Sequence, residues 1–305
     1  MRDLKNKLTS GKNTKNIQNR KGKSFGYQVL GFGAGGETPL LYIEATGGTI
    51  TEDGDFKVHT FTSPGTFCVS AIGCCKTPST FADKISYIVV GGGGSSGGWN
   101  GAEAGGGGAG GFRANNASAG GCFSPVSPLA SPVGAFTVTA QGYPISIGAG
   151  SPAVSGPGVQ GTDGGSSSGF SITSAGGGGG GSGASPGGNP GRDGGSGGGG
   201  GGQAGGTRPG GNGNVPPTSP PQGNPGQTSG APPFPGGGGS GGGAGGPGGP
   251  YPRPANYNST PHGITGSDVG YASGGPSTTM GGQPGLGQRP GLAGGVIVRY
   301  KFQGT

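Results

Sequence analysis

Residues 85–98 read ISYIVVGGGGSSGG, and residues 294–302, near the other end of the chain, read GGVIVRYKF. The first stretch is a run of β-branched and aromatic residues that passes directly into glycine. The second leaves glycine and enters a run of the same kind. Short apolar runs of this composition, bounded by glycine, read as buried strands. A strong strand that closes a glycine-rich chain makes sense if it pairs with an early one. Ile85–Val90 and Val296–Tyr300 are therefore expected in one sheet or in facing sheets. The expected fold is all-β, an antiparallel β-sandwich or jelly-roll-like core.

The residues before 85 support this. LYIEATGG opens the region, and TEDGD at 51–55 reads as a turn between β-rich runs. Phe56, Val58, Thr60 and Thr62 alternate with Lys57, His59 and Phe61, as a strand would. Ser63-Pro64-Gly65 is a turn, Thr66 to Ile72 the next strand, and 74–80 a loop. No helical period occurs.

After residue 90 the composition changes. The whole chain has 87 glycines and 28 prolines in 305 residues, and only 27% of it is hydrophobic. A conventional core cannot serve that length. Such a composition usually means disorder, but charge is low at 10% and disordered chains are usually charged. Spaced apolar islands also interrupt the glycine: Trp99, 111–113, 136–138, 143–147, 170–172 and Tyr271. Strands of polyproline-II type have three residues per turn and no internal hydrogen bonds. Without Cβ atoms they can approach closely and bond to one another. The expectation is a layered bundle of polyglycine strands within one chain, with proline-rich loops across 207–261. The competing reading of 176–261 is a solvated linker.

The formal charge of +7 is confined to the N-terminus. Residues 1–23 hold Arg2, Lys5, Lys7, Lys12, Lys15, Arg20, Lys21 and Lys23 against one acid, Asp3, and the remaining 282 residues are neutral. Phe25, Tyr27 and Val29 then alternate, followed by Leu30 and Phe32. This apolar extended segment either pairs with a sheet edge on another chain or forms the first strand of the body. Residues 1–36 are expected to be a docking arm, with Arg20, Lys21, Lys23, Phe25, Tyr27, Val29, Leu30 and Phe32 as its contacts. Residues 37–90 supply N-terminal strands, and 91–305 a glycine-rich region closed by 294–302. No apolar run is long enough to cross a membrane, and the basic N-terminus lacks the apolar stretch of a Sec signal. Membrane insertion is not expected.

The segments EATGGTITEDGDFKVHTFTSPGTFCV, YIVVGGGGSSGG, GGGGAGGFRA, YPISIGAGSP, GFSITSAGGGGGG and GGVIVRYKF, in that order, resemble the glycine-rich domain of bacteriophage tail-fibre and appendage proteins, especially of marine phages. The resemblance spans about residues 41–302 and leaves the arm outside it. It implies a β-structured virion component, assembled in the host cytoplasm and often involved in host-surface contact. The implied partners are other virion proteins, met through the arm, and a host-surface glycan or protein, with homo-oligomers expected. A capsid-surface or minor capsid protein, whose basic arm docks on the shell or packaged DNA, is the alternative.

Enzymatic residue sets are not evident, and no cofactor is expected. The two histidines, His59 and His262, are far apart in sequence; His59 reads as a surface residue on a strand and His262 as a loop residue. Strings such as GGGGAGG contain the spacing of a dinucleotide fingerprint but lack the helix that must follow. Glu52, Asp53 and Asp55 could hold calcium, yet they lack the loop spacing and final glutamate of a calcium loop, and a solvated hairpin tip is preferred. Eleven scattered acids suggest no glycosidase pair. Cys68, Cys74, Cys75 and Cys122 match no common zinc spacing. They read as buried strand thiols, with a Cys68 bridge to Cys74 or Cys75 as the lesser alternative. Trp99-Asn100, Tyr251, Tyr257-Asn258 and Tyr271 stand among glycine and proline. Tyr251, Tyr257 and Tyr271 are the candidate receptor contacts, since exposed aromatic rings give large contact area at low entropy cost. The competing reading is that each ring packs on glycine backbone; for Trp99 it is preferred.

Overall fold

Ile85–Val90 and Val296–Tyr300 lie side by side in the computed structural model of the chain. It describes residues 42–73, 82–98, 103–115, 130–131, 134–156, 158–183, 187–202, 206–230, 237–249, 258–276 and 291–304, all within the unit Leu41–Thr305. The strands are β1 (Glu44–Thr46), β2 (Thr49–Asp53), β3 (Phe56–Phe61), β4 (Gly65–Ala71), β5 (Lys84–Val90), β6 (Phe112–Asn115), β7 (Ala130–Ser131), β8 (Phe136–Thr137), β9 (Gly142–Ile145), β10 (Ser167–Gly169), β11 (Ile172–Ser174), β12 (Thr260–His262), β13 (Val269–Tyr271) and β14 (Gly295–Lys301). The fold is all-β and almost entirely antiparallel; the β6–β7 pair is parallel.

The largest sheet runs β2-β3-β14-β5-β6-β7. β14 fills the slot between β3 and β5, with Ile297 opposite Thr60 on one side and Ile88 on the other. Its central strands β5 and β14 are buried on both faces. Val296, Val298 and Tyr300 point with Ile85, Tyr87, Val89 and Phe61 into one core, while Ile297 points with Val58, Ile88 and Phe112 into a second. Strands covered on both faces read as continuous apolar runs, which is why IVV and VIV occur in place of alternation.

The smaller sheet, β1-β4-β9, covers the first face. Its Phe67 is fully buried at the centre of a ring cluster, edge-on to His59 at 5.1 Å and to Phe170 at 5.8 Å. Phe170 and Ser171 make the turn between β10 and β11 with φ of 57° and 61°. A bulky residue is disfavoured in that left-handed region. Burial of the Phe170 ring among Tyr87, Phe136 and Tyr143 holds it there. The second face is covered by Ala244 and Ile264, with Tyr271 and Ala272 packed alongside. Where β6 ends, the Asn115 side chain takes over its hydrogen bonding. Its Oδ1 accepts from Tyr87 N at 2.7 Å and its Nδ2 donates to Ile85 O at 3.0 Å.

Three sequence expectations need correction. His59 is fully buried, because β3 has a core on each side. His262 lies on β12, also fully buried, 6.1 Å from the Phe112 ring. Cys68 is a free and exposed thiol: Phe67 and Val69 take the inward positions of β4 and turn Cys68 outward. Cys74, Cys75 and Cys122 lie outside the described residues.

The glycine runs form a lattice built on these sheets. Residues 196–202 show its rule. Ser196, Gly199 and Gly202 donate their N–H to Ala109, Gly106 and Glu103; Gly197 and Gly200 donate to Asn224 and Gln227; Gly198 and Gly201 donate to Arg192 and Asn189. Each strand thus serves three neighbours in rotation, one residue in three to each, as threefold polyproline-II-type backbone requires. The same spacing recurs where Gly91, Gly94 and Gly97 donate to Gly111, Gly108 and Gly105, and Gly92, Ser95 and Gly98 donate to Gly165, Thr162 and Val159. These glycines lie outside the positive-φ region, so glycine is needed here for space. A Cβ on Gly199 would overlap the carbonyl of Gly239, and one on Gly108 the carbonyl of Ser196. Residues 176–183, 187–202, 206–230 and 237–249 are therefore ordered layers, not a solvated linker. Gln222, 1% exposed, knits them to the sheets: its Oε1 accepts from Ala175 N at 2.8 Å, its backbone carbonyl accepts from Phe112 N, and its Nε2 donates to Pro216 O.

Candidate functional site

The lattice has two ends of different character. At the sheet end, its strands continue directly into β5, β6, β9, β10, β11 and β14. At the other end successive strands are held antiparallel, with Gly97 N–H bonded to Gly105 O, Asn189 to Ser182 and Gly230 to Gly237.

Hydrogen bonds tie the described residues at this end together. Gly98 donates to Val159 O and accepts from Gly183 N; Asn189 N donates to Ser182 O; Gly201 donates to Asn189 O. Gly202 donates to the Glu103 carbonyl at 2.6 Å, and the Glu103 carboxylate accepts from Gly238 N at 3.1 Å. Gly230 donates to Gly237 O, Ser229 to Arg208 O, and Arg208 Nε to Gly188 O at 2.5 Å. Glu103 is the hub, joining three strands. It was not singled out in the sequence, although an isolated acid between two glycine runs is a legible signal. A second device is Asp163, which receives both Arg192 Nε and Nη2 at 2.7 Å while Oδ1 also accepts from Gly179 N. A bidentate pair of this kind fixes geometry as well as charge.

The residues named from sequence fall as follows. Arg20, Lys21, Lys23, Phe25, Tyr27, Val29, Leu30, Phe32, Trp99, Asn100, Tyr251 and Tyr257 lie outside the described residues. Tyr271 is half-buried on β13, its ring 6.3 Å from Phe112; burial pushes its phenol up, offset in part by a hydrogen bond with Thr265. Asn258 is buried. Its Nδ2 donates to Gly241 O, and its Oδ1 accepts from Gly274 N, both at 2.9 Å, so it stitches two lattice strands.

The acidic turn is committed to ion pairs. Asp53 takes Arg299 at 2.7 Å and Asp55 takes Lys301 at 3.3 Å. Arg299 is 4% exposed; it also donates to Ile264 O and lies over the Phe56 ring, 4.5 Å from its centroid. Among the described residues no cluster of His, Cys, Asp and Glu is placed to hold a metal ion.

Both histidines sit in cores. His59 Nδ1–H donates to Gly47 O at 2.7 Å, which leaves Nε2 to accept the Tyr300 hydroxyl at 3.0 Å. Burial lowers the His59 pKa, partly offset by the Gly47 bond, and Lys57 lowers it further. Burial alone lowers His262 to about 4. Tyr300 is pushed up to about 12 by burial, with the Ala45 backbone bond opposing and Glu44 adding to the rise.

A comparison with curated proteins returned no match. A sequence profile for a family described as a glycine-rich domain matches residues 70–301. That range takes in the lattice and the sheets from β5 to β14, and the chain belongs to this glycine-rich domain family.

Proposed function

We propose that this protein is a non-enzymatic structural component of a bacteriophage particle, of the tail-fibre or appendage kind. In this reading it docks through residues 1–36 and turns the free end of its lattice toward the host surface. The observation that carries the reading is the polarity of the body. Tyr42, which leads into β1, lies beside Lys301 and Gly304 at the close of β14. Both are at the sheets, while Gly98, Glu103, Gly183, Gly202 and Gly230 are bonded to their neighbours at the far end of the lattice. An attachment end and a presenting end are what a projecting module needs. Loops on a rigid scaffold are also where recognition residues usually sit. The arm's lysines and arginines would guide encounter with an acidic surface, and this attraction weakens with salt. Its apolar side chains would set residence time by burial, about 1.5–3 kcal/mol each if fully covered.

The test is to locate the chain on intact particles by cryo-electron microscopy, alongside particles carrying Phe25→Ala with Phe32→Ala. Density on a tail appendage, reduced by the double substitution, is the expected result. Density on the shell would replace the reading with the capsid alternative, and absence from particles would end both.

A further inference from the structure

The sandwich has five edge strands among the described residues: β2, β7 and β8 in the large sheet, β1 and β9 in the small one. Exposed edges template pairing with other chains, and folded proteins usually blunt them. Four of these five are blunted. β7 and β8 are each two residues long. β9 carries Pro144, which has no N–H to offer. β1 has an irregular register between Glu44 and Ala45. The outer lattice strands are blunted too, since 207–229 contains six prolines. β2 has none of these devices. It runs Thr49-Ile50-Thr51-Glu52-Asp53 in unbroken register with β3, without proline, lysine or bulge. Its first four residues are exposed, and Ile50 leaves 43% of its surface in solvent.

β2 is also self-complementary. A twofold axis perpendicular to the sheet must place residues of the same face opposite one another, so it passes through a residue and not between two. Centred on Thr51, it sets Thr51 against its own copy, Ile50 against Glu52 and Thr49 against Asp53. No like charges oppose, and threonine pairs are favourable cross-strand neighbours. Asp53 is already neutralised by Arg299.

We infer that β2 is the contact between two copies of this chain, joined antiparallel about Thr51 so that the large sheet continues from one copy into the next. The contact is isologous, the same strand on both sides. It covers Ile50 and satisfies the outward backbone groups of both strands. A dimer would carry the arm and the free end of the lattice in duplicate.

Sedimentation equilibrium of the full chain across a wide concentration range tests this directly. A reversible dimer is expected. Thr51→Lys would bring two ammonium groups face to face on the axis and should weaken association at least about tenfold, with an unchanged melting temperature at concentrations where the unaltered protein is monomeric, since Thr51 is exposed. Hydrogen exchange of residues 49–53 in the unaltered protein gives a readout independent of any variant. It should slow as concentration rises. A monomer at every concentration, a folded Thr51→Lys protein that dimerises as before, or exchange at 49–53 that ignores concentration would each overturn the proposal. So would a dimer lost with Phe25→Ala and Phe32→Ala but kept with Thr51→Lys, which would move the contact to the arm.

Discussion

The sheets and the glycine lattice meet the same requirement, a partner for every buried backbone N–H and C=O, in opposite ways. In the sheets the hydrogen bonds lie in a plane and the side chains leave it to form two cores. In the lattice the bonds radiate to three neighbours in turn, and at most glycines a side chain would meet neighbouring backbone. Sheet stability comes from apolar side chains, whereas lattice stability comes from closely packed backbone. The difference predicts that the two regions fail under different substitutions. A sheet residue should tolerate loss of volume better than gain of charge, and a lattice glycine should tolerate neither volume nor charge.

The largest effect expected is from Ile297→Asp. Ile297 is 8% exposed in the second core, and an unpaired carboxylate there should cost on the order of 4 kcal/mol or more. Thermal unfolding should show a protein that is destabilised or unfolded under ordinary conditions. The lattice counterpart is Gly199→Ala. A methyl group is the smallest side chain available, yet at Gly199 it meets backbone on Gly239, which cannot rotate away. A loss of about 3 kcal/mol is expected. Gly134→Ala, where no atom lies within 4 Å of the added carbon, should be nearly neutral. Equal melting temperatures for the two alanine variants would break the comparison.

Much of the sheet region was legible because side chains write their burial into sequence. Ile85–Val90 and Val296–Tyr300 announce strands covered on both faces, and they pair as expected. The same double coverage defeated the reading of His59. Alternation assumes one wet face, and β3 has none at that position. Cys68 was misread for the converse reason, since β4 does have a wet face. In the lattice, order could be inferred but register could not. Every glycine presents the same chemistry, so nothing distinguishes which neighbour Gly197 and Gly198 choose. Of the residues that pin the arrangement, Glu103 stands out as an isolated acid between glycine runs, whereas Asp163, Gln222 and Asn258 look like ordinary polar loop residues until their partners are known.

Acid should expose a smaller difference. Burial lowers both histidine pKa values, His262 to about 4, so the folded chain keeps them neutral while the unfolded chain protonates near 6.5. Below that value the unfolded state binds more protons, and stability must fall as pH falls. Their contribution is fully present above about pH 6.5 and is lost toward pH 4, by about 2–3 kcal/mol for His262. Denaturant midpoints measured from pH 7 to pH 4 should decline. With His262→Gln the decline should shrink but persist through His59, and a flat profile in the unaltered protein would contradict the burial of both.

The central claim is that the glycine runs are a fixed hydrogen-bonded lattice. Amide hydrogen exchange of residues 176–183 and 195–202, compared with β5 and β14 in the same experiment, tests it most directly. The account predicts protection in the glycine segments within about tenfold of the strands, because the same cooperative unit must open to release either. Exchange at the rate of an unstructured peptide, with β5 and β14 still protected, would contradict it.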